Sequence, residues 1–170
     1  MEINYTTLFW NDYCFYLAAT KECLVFIGAN EQGKQELEIW NKKYLPNSKL
    51  VENDCALSDY KRELTSYLNG KKSMFDVPLA LYGTTFQKRV WEELRKVTYG
   101  EVTTYTDIAK RIGQPKAVRA VANAIGQNPL LFIVPCHRVI RKDGNLSGFR
   151  AGVPLKRTLL QLESNGKTAH

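Results

Sequence analysis

The chain has 170 residues, 44% of them hydrophobic, and a formal net charge of +7. That length is enough to bury a real core as one domain or two small ones, and no apolar run approaches the length that spans a bilayer. The N-terminus lacks a basic-then-apolar signal pattern, so a cytoplasmic protein without membrane association is expected, in which Asn4-Tyr5-Thr6 and Asn145-Leu146-Ser147 are not glycosylation sites.

Residues 3–10 and 13–19 are rich in Tyr, Thr, Phe and Leu and are separated by Asn11-Asp12, which predicts a β-hairpin. Cys23–Ile27 reads as a third strand ending at Gly28. A helix is expected from Glu31 to Tyr44, stopping before Pro46. A second, about Leu57 to Leu68, places Leu57, Tyr60, Leu64 and Leu68 on one face and ends at Asn69-Gly70. Val77-Pro78-Leu79 is a short extended connection. This half holds no convincing catalytic constellation.

Thr84-Thr85 opens an amphipathic helix carrying Phe86, Val90, Trp91, Leu94 and Val97, closed by Tyr99-Gly100. Thr104 begins the next, with Asp107 three residues on as capping partner, Ile108, Ala109 and Ile112 as its buried stripe, and Gly113 at its end. Pro115 suits the first turn of a third helix, in which Val118, Val121, Ala122 and Ile125 share a face and Gly126 is the stop. Two helices joined by a short Gly-containing turn form a helix-turn-helix. The outer face of the second has small residues, Ala117, Ala120 and Ala124, flanked by Lys116, Arg119 and Asn123. Such a face permits close approach to a nucleic-acid backbone, and suits the minor groove, although alanines are also simply good helix formers.

Charge is distributed unevenly along the chain. Residues 1–80 hold 9 basic and 11 acidic side chains, a balance of −2, whereas residues 81–170 hold 15 and 6, a balance of +9. Between 110 and 157 there are 10 basic residues and one acid, Asp143. This concentration favours a polyanionic partner, nucleic acid first.

The basic window contains Ile133-Val134-Pro135-Cys136-His137-Arg138-Val139-Ile140. A proline and three reactive or charged side chains between apolar flanks make a poor core segment, and Pro135 predicts a sharp turn at the cysteine. A lone cysteine is usually an inert buried hydrophobe. Here, however, one of only two histidines follows it directly, and the neighbouring imidazole and guanidinium would favour a nucleophilic thiolate. Cys14, Cys23, Cys55 and Cys136 include no Cys-x-x-Cys pair, so neither a disulfide framework nor a metal site is expected. Asp143-Gly144-Asn145 is a turn and Ser147-Gly148 a tight polar loop. Pro154 can open a final helix with Leu155, Leu159 and Leu162 in one stripe. Glu163 lies near the end of that helix, where the macrodipole disfavours a negative charge; exposure explains its placement, as does a partner such as His137.

From Thr84 to Glu163 the chain resembles the O6-alkylguanine-DNA alkyltransferases. The matching stretches are Thr85-Phe86-Gln87, Gly100-Glu101-Val102 with Tyr105, Pro115 to Val121, Asn128-Pro129, Pro135 to Ile140, Ser147-Gly148-Phe149-Arg150, and Leu159-Leu160 with Glu163. The elements read above make an α+β protein: a small N-terminal antiparallel sheet with helices over residues 1–80, which matches the family only in size and strand-then-helix order, then a mostly helical DNA-binding and active-site domain containing the helix-turn-helix over 81–170. The resemblance implies direct reversal of DNA damage, in which an O6-alkylguanine, with O4-alkylthymine left open as a second substrate, is flipped from double-stranded DNA and its alkyl group moves irreversibly to the protein. By the same resemblance Cys136 is the acceptor and His137 its base through a bridging water. Glu163 orients the imidazole, Asn128 fixes the turn, and Tyr105 gives a proton to the departing guanine. Ser147, Tyr105 and Val139 would contact the base, Arg119 would fill its vacated place, and Lys116, Ala117, Ala120 and Asn123 would meet the DNA. A single-turnover monomer without cofactor or metal is implied, in the stand-alone form without an added zinc-binding sensor domain. Two other classes remain: a cysteine hydrolase or thiol redox enzyme, which would turn over and has no use for the helix pair, and a DNA-binding regulator indifferent to Cys136.

Overall fold

The computed structural model describes residues 1–146 and 148–169, the last three of these by backbone alone. The chain divides into two compact units, Met1–Tyr82 and a second that begins at Gly83.

In the first unit, β1 (Glu2–Trp10), β2 (Tyr13–Ala19) and β3 (Leu24–Ala29) form an antiparallel meander. Trp10 and Tyr13 pair across Asn11-Asp12, and Asn11 takes the positive φ of 51° that Asn tolerates in such a turn. Helix α1 (Glu31–Tyr44) presses Leu37 and Trp40 onto Ile3, Ala18, Val25 and Phe26. Its approach to the sheet depends on glycine. A Cβ on Gly28 would lie 2.8 Å from the Phe26 ring and 3.3 Å from Gly33 Cα. A strand beyond the three expected, β4 (Lys49–Glu52), pairs in parallel with β1, so the sheet is mixed, in the order β3-β2-β1-β4. Lys-Leu-Val-Glu is too short and too exposed to show alternation. Helix α2 (Ser58–Leu68) follows a 3-10 turn and buries Leu64, Tyr67 and Leu68, while Tyr60 is only half-buried.

The second unit is built around α3 (Thr85–Leu94), α4 (Tyr105–Arg111), α5 (Val118–Gly126) and α6 (Val153–Ala169). Thr84 and Gln87 close a reciprocal capping box on α3. Thr104 caps α4 by accepting from the Asp107 N–H at 3.1 Å. The α3 helix stops at Leu94 rather than running to Tyr99, so Val97 is buried in the following turn. Trp91 joins α3 to α5: its ring is buried and its indole N–H donates to the Ala124 carbonyl at 2.8 Å.

Helix α5 starts later than the proline suggested. Ala117 N–H donates to Gln114 O at 2.9 Å across Pro115-Lys116, a β-turn that uses the fixed φ of proline at its second position. Lys116 and Ala117 therefore precede the helix, with Ala117 as its N-cap. Ala124 is buried with Val121 and Ile125, not on the outer face, and Ala122 is only half-buried. The exposed face of α5 is Arg119, Ala120 and Asn123.

A two-stranded parallel pairing, absent from the sequence expectation, ties the helix pair to the reactive segment. β5 (Thr103–Thr104) pairs with β6 (Val139–Ile140). The residue that caps α4 thus lies beside the strand that leaves Cys136-His137-Arg138.

Candidate active site

The segment from Leu130 to Arg138 is a succession of tight turns. Phe132 sits at φ 72°, and the Ile133 N–H donates back to Leu131 O at 2.9 Å, which makes a γ-turn of the rarer positive-φ kind. Pro135, at φ −80° and ψ 63°, centres an inverse γ-turn closed by Cys136 N–H to Val134 O at 2.8 Å. Cys136–Arg138 then form one turn of 3-10 helix. A non-glycine residue at positive φ costs about 1–3 kcal/mol and persists only where its surroundings over-determine it. Buried Leu130, Leu131, Phe132 and Val134 supply those surroundings.

Asn128 holds this turn from inside. Its amide donates to Val134 O at 2.7 Å and to Cys136 Sγ at 3.2 Å, and its Oδ1 accepts from the Leu130 N–H at 2.9 Å. One side chain thereby spans both ends of the turn and touches the sulfur. Cys136 is 5% exposed. Burial pushes its thiol above the ordinary value, opposed in turn by the Asn128 hydrogen bond and by the positive charges of Arg150 and Lys156. The sequence expectation that Arg138 would favour the thiolate does not hold, because its guanidinium is engaged elsewhere.

His137 and Glu163 do meet: Nε2 lies 2.6 Å from Oε2, with both side chains buried. Burial holds the imidazole below its usual pKa, against the Glu163 contact that acts to raise it. Burial alone would raise the Glu163 carboxyl, but hydrogen bonds from His137 and Arg138 together hold it well below the ordinary range. The pair is therefore a neutral imidazole donating Nε2–H to a carboxylate, which leaves the basic lone pair on Nδ1. Glu163 lies mid-helix, since α6 runs on to Ala169, so the dipole argument about its position falls away.

Two buried cations complete the cluster. Arg138 donates from Nε to Glu163 Oε1 at 2.7 Å, from Nη2 to Oε2 at 3.0 Å, and from Nη1 to Val97 O at 2.6 Å. Lys156, fully buried on α6, donates to Val139 O at 2.5 Å, and burial lowers its pKa. The sequence reading did not single out Lys156. Its signal was there: Lys156 is seven residues before Glu163, hence on the same face of α6.

Tyr105, the first residue of α4, lines a cleft of about 570 Å³ with Ala122, Gly126, Arg141, Gly148, Phe149 and Arg150. Arg150 thus borders this cleft and also acts electrostatically on Cys136. Val139 is fully buried in β6, and Arg119, Ala120 and Asn123 are exposed on α5. Ser147 lies outside the described residues. Among the described residues no group of His, Cys, Asp and Glu has the makings of a metal site, and no helix is long and apolar enough to cross a membrane.

A thiol set beside a histidine–carboxylate pair, in a unit that also presents a helix-turn-helix, defines a protein of cysteine-centred group transfer facing nucleic acid. Family models agree in detail. Residues 3–81 match the ribonuclease-like domain of 6-O-methylguanine DNA methyltransferase, and residues 85–165 match its DNA-binding domain. The chain is 46% identical to the inducible methylated-DNA–protein-cysteine methyltransferase of Bacillus subtilis, over 99% of this chain and 97% of that one. It is 44% identical to the enzyme of the same name from Methanosarcina acetivorans, over 88% and 90%. Among solved structures, the Mycobacterium tuberculosis O6-methylguanine methyltransferase superposes with a TM-score of 0.84 at 37% identity, covering 96% of this chain and 93% of that one. The same organism's protein in complex with DNA gives 0.83 at 35%, covering 98% and 94%. The chain belongs to the 6-O-methylguanine DNA methyltransferase family.

Proposed function

We propose that Cys136 is the alkyl acceptor, served by His137, Glu163, Asn128 and Tyr105. Family membership makes the protein a DNA-repair methyltransferase that reverses alkylation directly: the alkyl group on O6 of guanine in DNA passes to a cysteine of the protein. Cys136 is the choice supported by one observation above all. Among the described residues it is the cysteine bound by a buried amide, Asn128, next to a His137–Glu163 pair at 2.6 Å.

His137 takes the thiol proton through an intervening water, the sulfur forms a bond to the alkyl carbon, and the carbon–O6 bond breaks. The Tyr105 phenol supplies a proton to the guanine ring as its charge develops, and regains one from the imidazolium through solvent. The lesion base is extruded because its alkyl carbon is closed to in-line attack within the stack. The cleft beside Tyr105 receives it, and contacts to the base are assigned to Ser147, Tyr105 and Val139. Arg119 fills the vacated stack, and Lys116, Ala117, Ala120 and Asn123 lie along the DNA. The thioether product has no hydrolytic route back, so each molecule acts once, as a monomer and without a cofactor. The need for a reduced thiol and for DNA supports a cytoplasmic location. The organisation follows: residues 1–80 as an α+β domain and 81–170 as the DNA-binding, active-site domain.

Stoichiometry tests this reading against a hydrolase or redox enzyme. With excess O6-methylguanine duplex, one mole of methyl should leave the DNA per mole of protein, and then none. Continued release would contradict it. A regulator would be excluded by wild-type protein that transfers the methyl group beside a Cys136→Ser variant that binds the duplex and transfers nothing.

A further inference from the structure

Arg138 stands out as a cation spent entirely inside the protein. Its forked contact takes both oxygens of Glu163, at 2.7 and 3.0 Å, and its remaining arm donates to Val97 O at 2.6 Å. The Tyr99 ring lies 5.7 Å below the guanidinium. That ring has reserved room: a Cβ on Gly166 of α6 would fall 2.5 Å from the Tyr99 hydroxyl and 3.0 Å from its ring. A carboxylate gripped at both oxygens cannot rotate, so Oε2 stays where it accepts from His137 Nε2 at 2.6 Å.

We propose that Arg138 is a positioning residue for alkyl transfer: by pinning Glu163 as an ionised acceptor it keeps the His137 proton on Nε2 and the imidazole neutral, ready to accept from Cys136. The inference rests on the assignment of His137 as base. Its charge logic is local. Among the described residues, the charged groups that act on the imidazole include Glu163 and Lys156 from α6 and Arg138 from its own turn, while Arg150 and Lys156 act on the adjoining Cys136. Of the three groups acting on the imidazole, Glu163 carries the negative charge. Without Arg138 that carboxylate would be balanced chiefly by the imidazole, which would then hold a second proton and cease to be a base. Lysine supplies charge but not the planar fork, so it is a partial substitute.

The test is single-turnover methyl transfer from an O6-methylguanine duplex, followed across the pH range in which imidazole titrates. In Arg138→Met the rise of rate with pH should move upward by about one unit, roughly a tenfold loss on the acid side, with recovery in alkali. Arg138→Lys should fall between. Gly166→Ala, which displaces Tyr99 and touches no reacting group, should shift the profile in the same direction by less. A rate lowered equally at every pH would overturn the proposal and leave Arg138 as a packing residue; so would an unshifted profile in Arg138→Lys. If Arg138→Met does not fold, the other two variants decide by the same criterion. Wild-type protein that transfers to Cys136 while the variant profiles stay fixed defeats only the role of Arg138. Wild-type protein that transfers nothing to Cys136 defeats the functional reading itself.

Discussion

Asn128→Ala is the substitution whose effects the geometry constrains most tightly. It removes three contacts at once: the amide to Val134 O, the amide to Cys136 Sγ, and Oδ1 from the Leu130 N–H. Alanine leaves the Leu130 N–H buried without that acceptor, at about 1–3 kcal/mol, and takes one of two donors from the Val134 carbonyl, which keeps the Cys136 N–H at 2.8 Å, at about 0.5–1.5 kcal/mol, so a loss of about 2–4 kcal/mol is expected. For a unit of this size that lowers the melting temperature by about 10 °C or more. The sulfur contact has a separate consequence. A hydrogen bond to an ionised group contributes about 1.5–3 kcal/mol, and the thiol is already raised by burial. Without the amide, the thiol pKa rises further and alkylation of Cys136 by iodoacetamide at neutral pH should slow by roughly 10- to 100-fold. Asn128→Asp keeps an acceptor for Leu130 N–H but puts an oxygen against Val134 O and the sulfur. It should slow alkylation at least as much. Differential scanning calorimetry and peptide-resolved alkylation kinetics at several pH values separate the two effects. An Asn128→Ala protein that is destabilised yet alkylates at the wild-type rate would refute the claim that this amide tunes the thiol.

Tyr105→Phe keeps the ring at the cleft and removes only the O–H; transfer at saturating duplex should slow by about 10²-fold, whereas a loss confined to affinity would make Tyr105 a positioning group. Arg119→Ala should impair transfer from a paired lesion more than from single-stranded DNA or free base, and equal losses on all three would argue against base replacement. Acid should destabilise the second unit. Burial holds the His137 pKa below its unfolded value, so the unfolded chain binds that proton first. Stability is then complete above about pH 6.5 and falls as the pH drops below it. Urea denaturation of wild type and His137→Phe on either side of that pH checks the sign, since the variant should lose much of the slope.

Much of this arrangement is legible in the sequence because its signals are local. Thr84 with Gln87, and Thr104 before Asp107, announce helix starts through capping chemistry that needs no tertiary context. Gly113, at φ 76°, marks a helix end for the same reason. The Cys136–His137 adjacency is likewise plain in the chain, and the odd placement of Glu163 points to His137, which it meets. What escaped was set by distant partners. β4 and the β5–β6 pairing are too short for periodicity and exist only by pairing with remote strands. The start of α5 hinged on whether Pro115 opens a helix or occupies a β-turn, two roles with the same φ. The buried face also differs from the expected stripe: Ala124 packs inward while Ala122 borders the cleft. Sequence proximity makes Arg138 a thiolate partner, but Glu163, 25 positions away, claims its fork. Burial then inverts the expected shift of the Cys136 thiol.

Intact-mass and peptide analysis after mixing equimolar protein with a duplex containing one O6-methylguanine tests the central claim most directly. The account predicts one added methyl per chain, carried by the peptide containing Cys136, with Cys14, Cys23 and Cys55 unmodified. A methyl on any of those three, or unchanged protein beside repaired DNA, would contradict it.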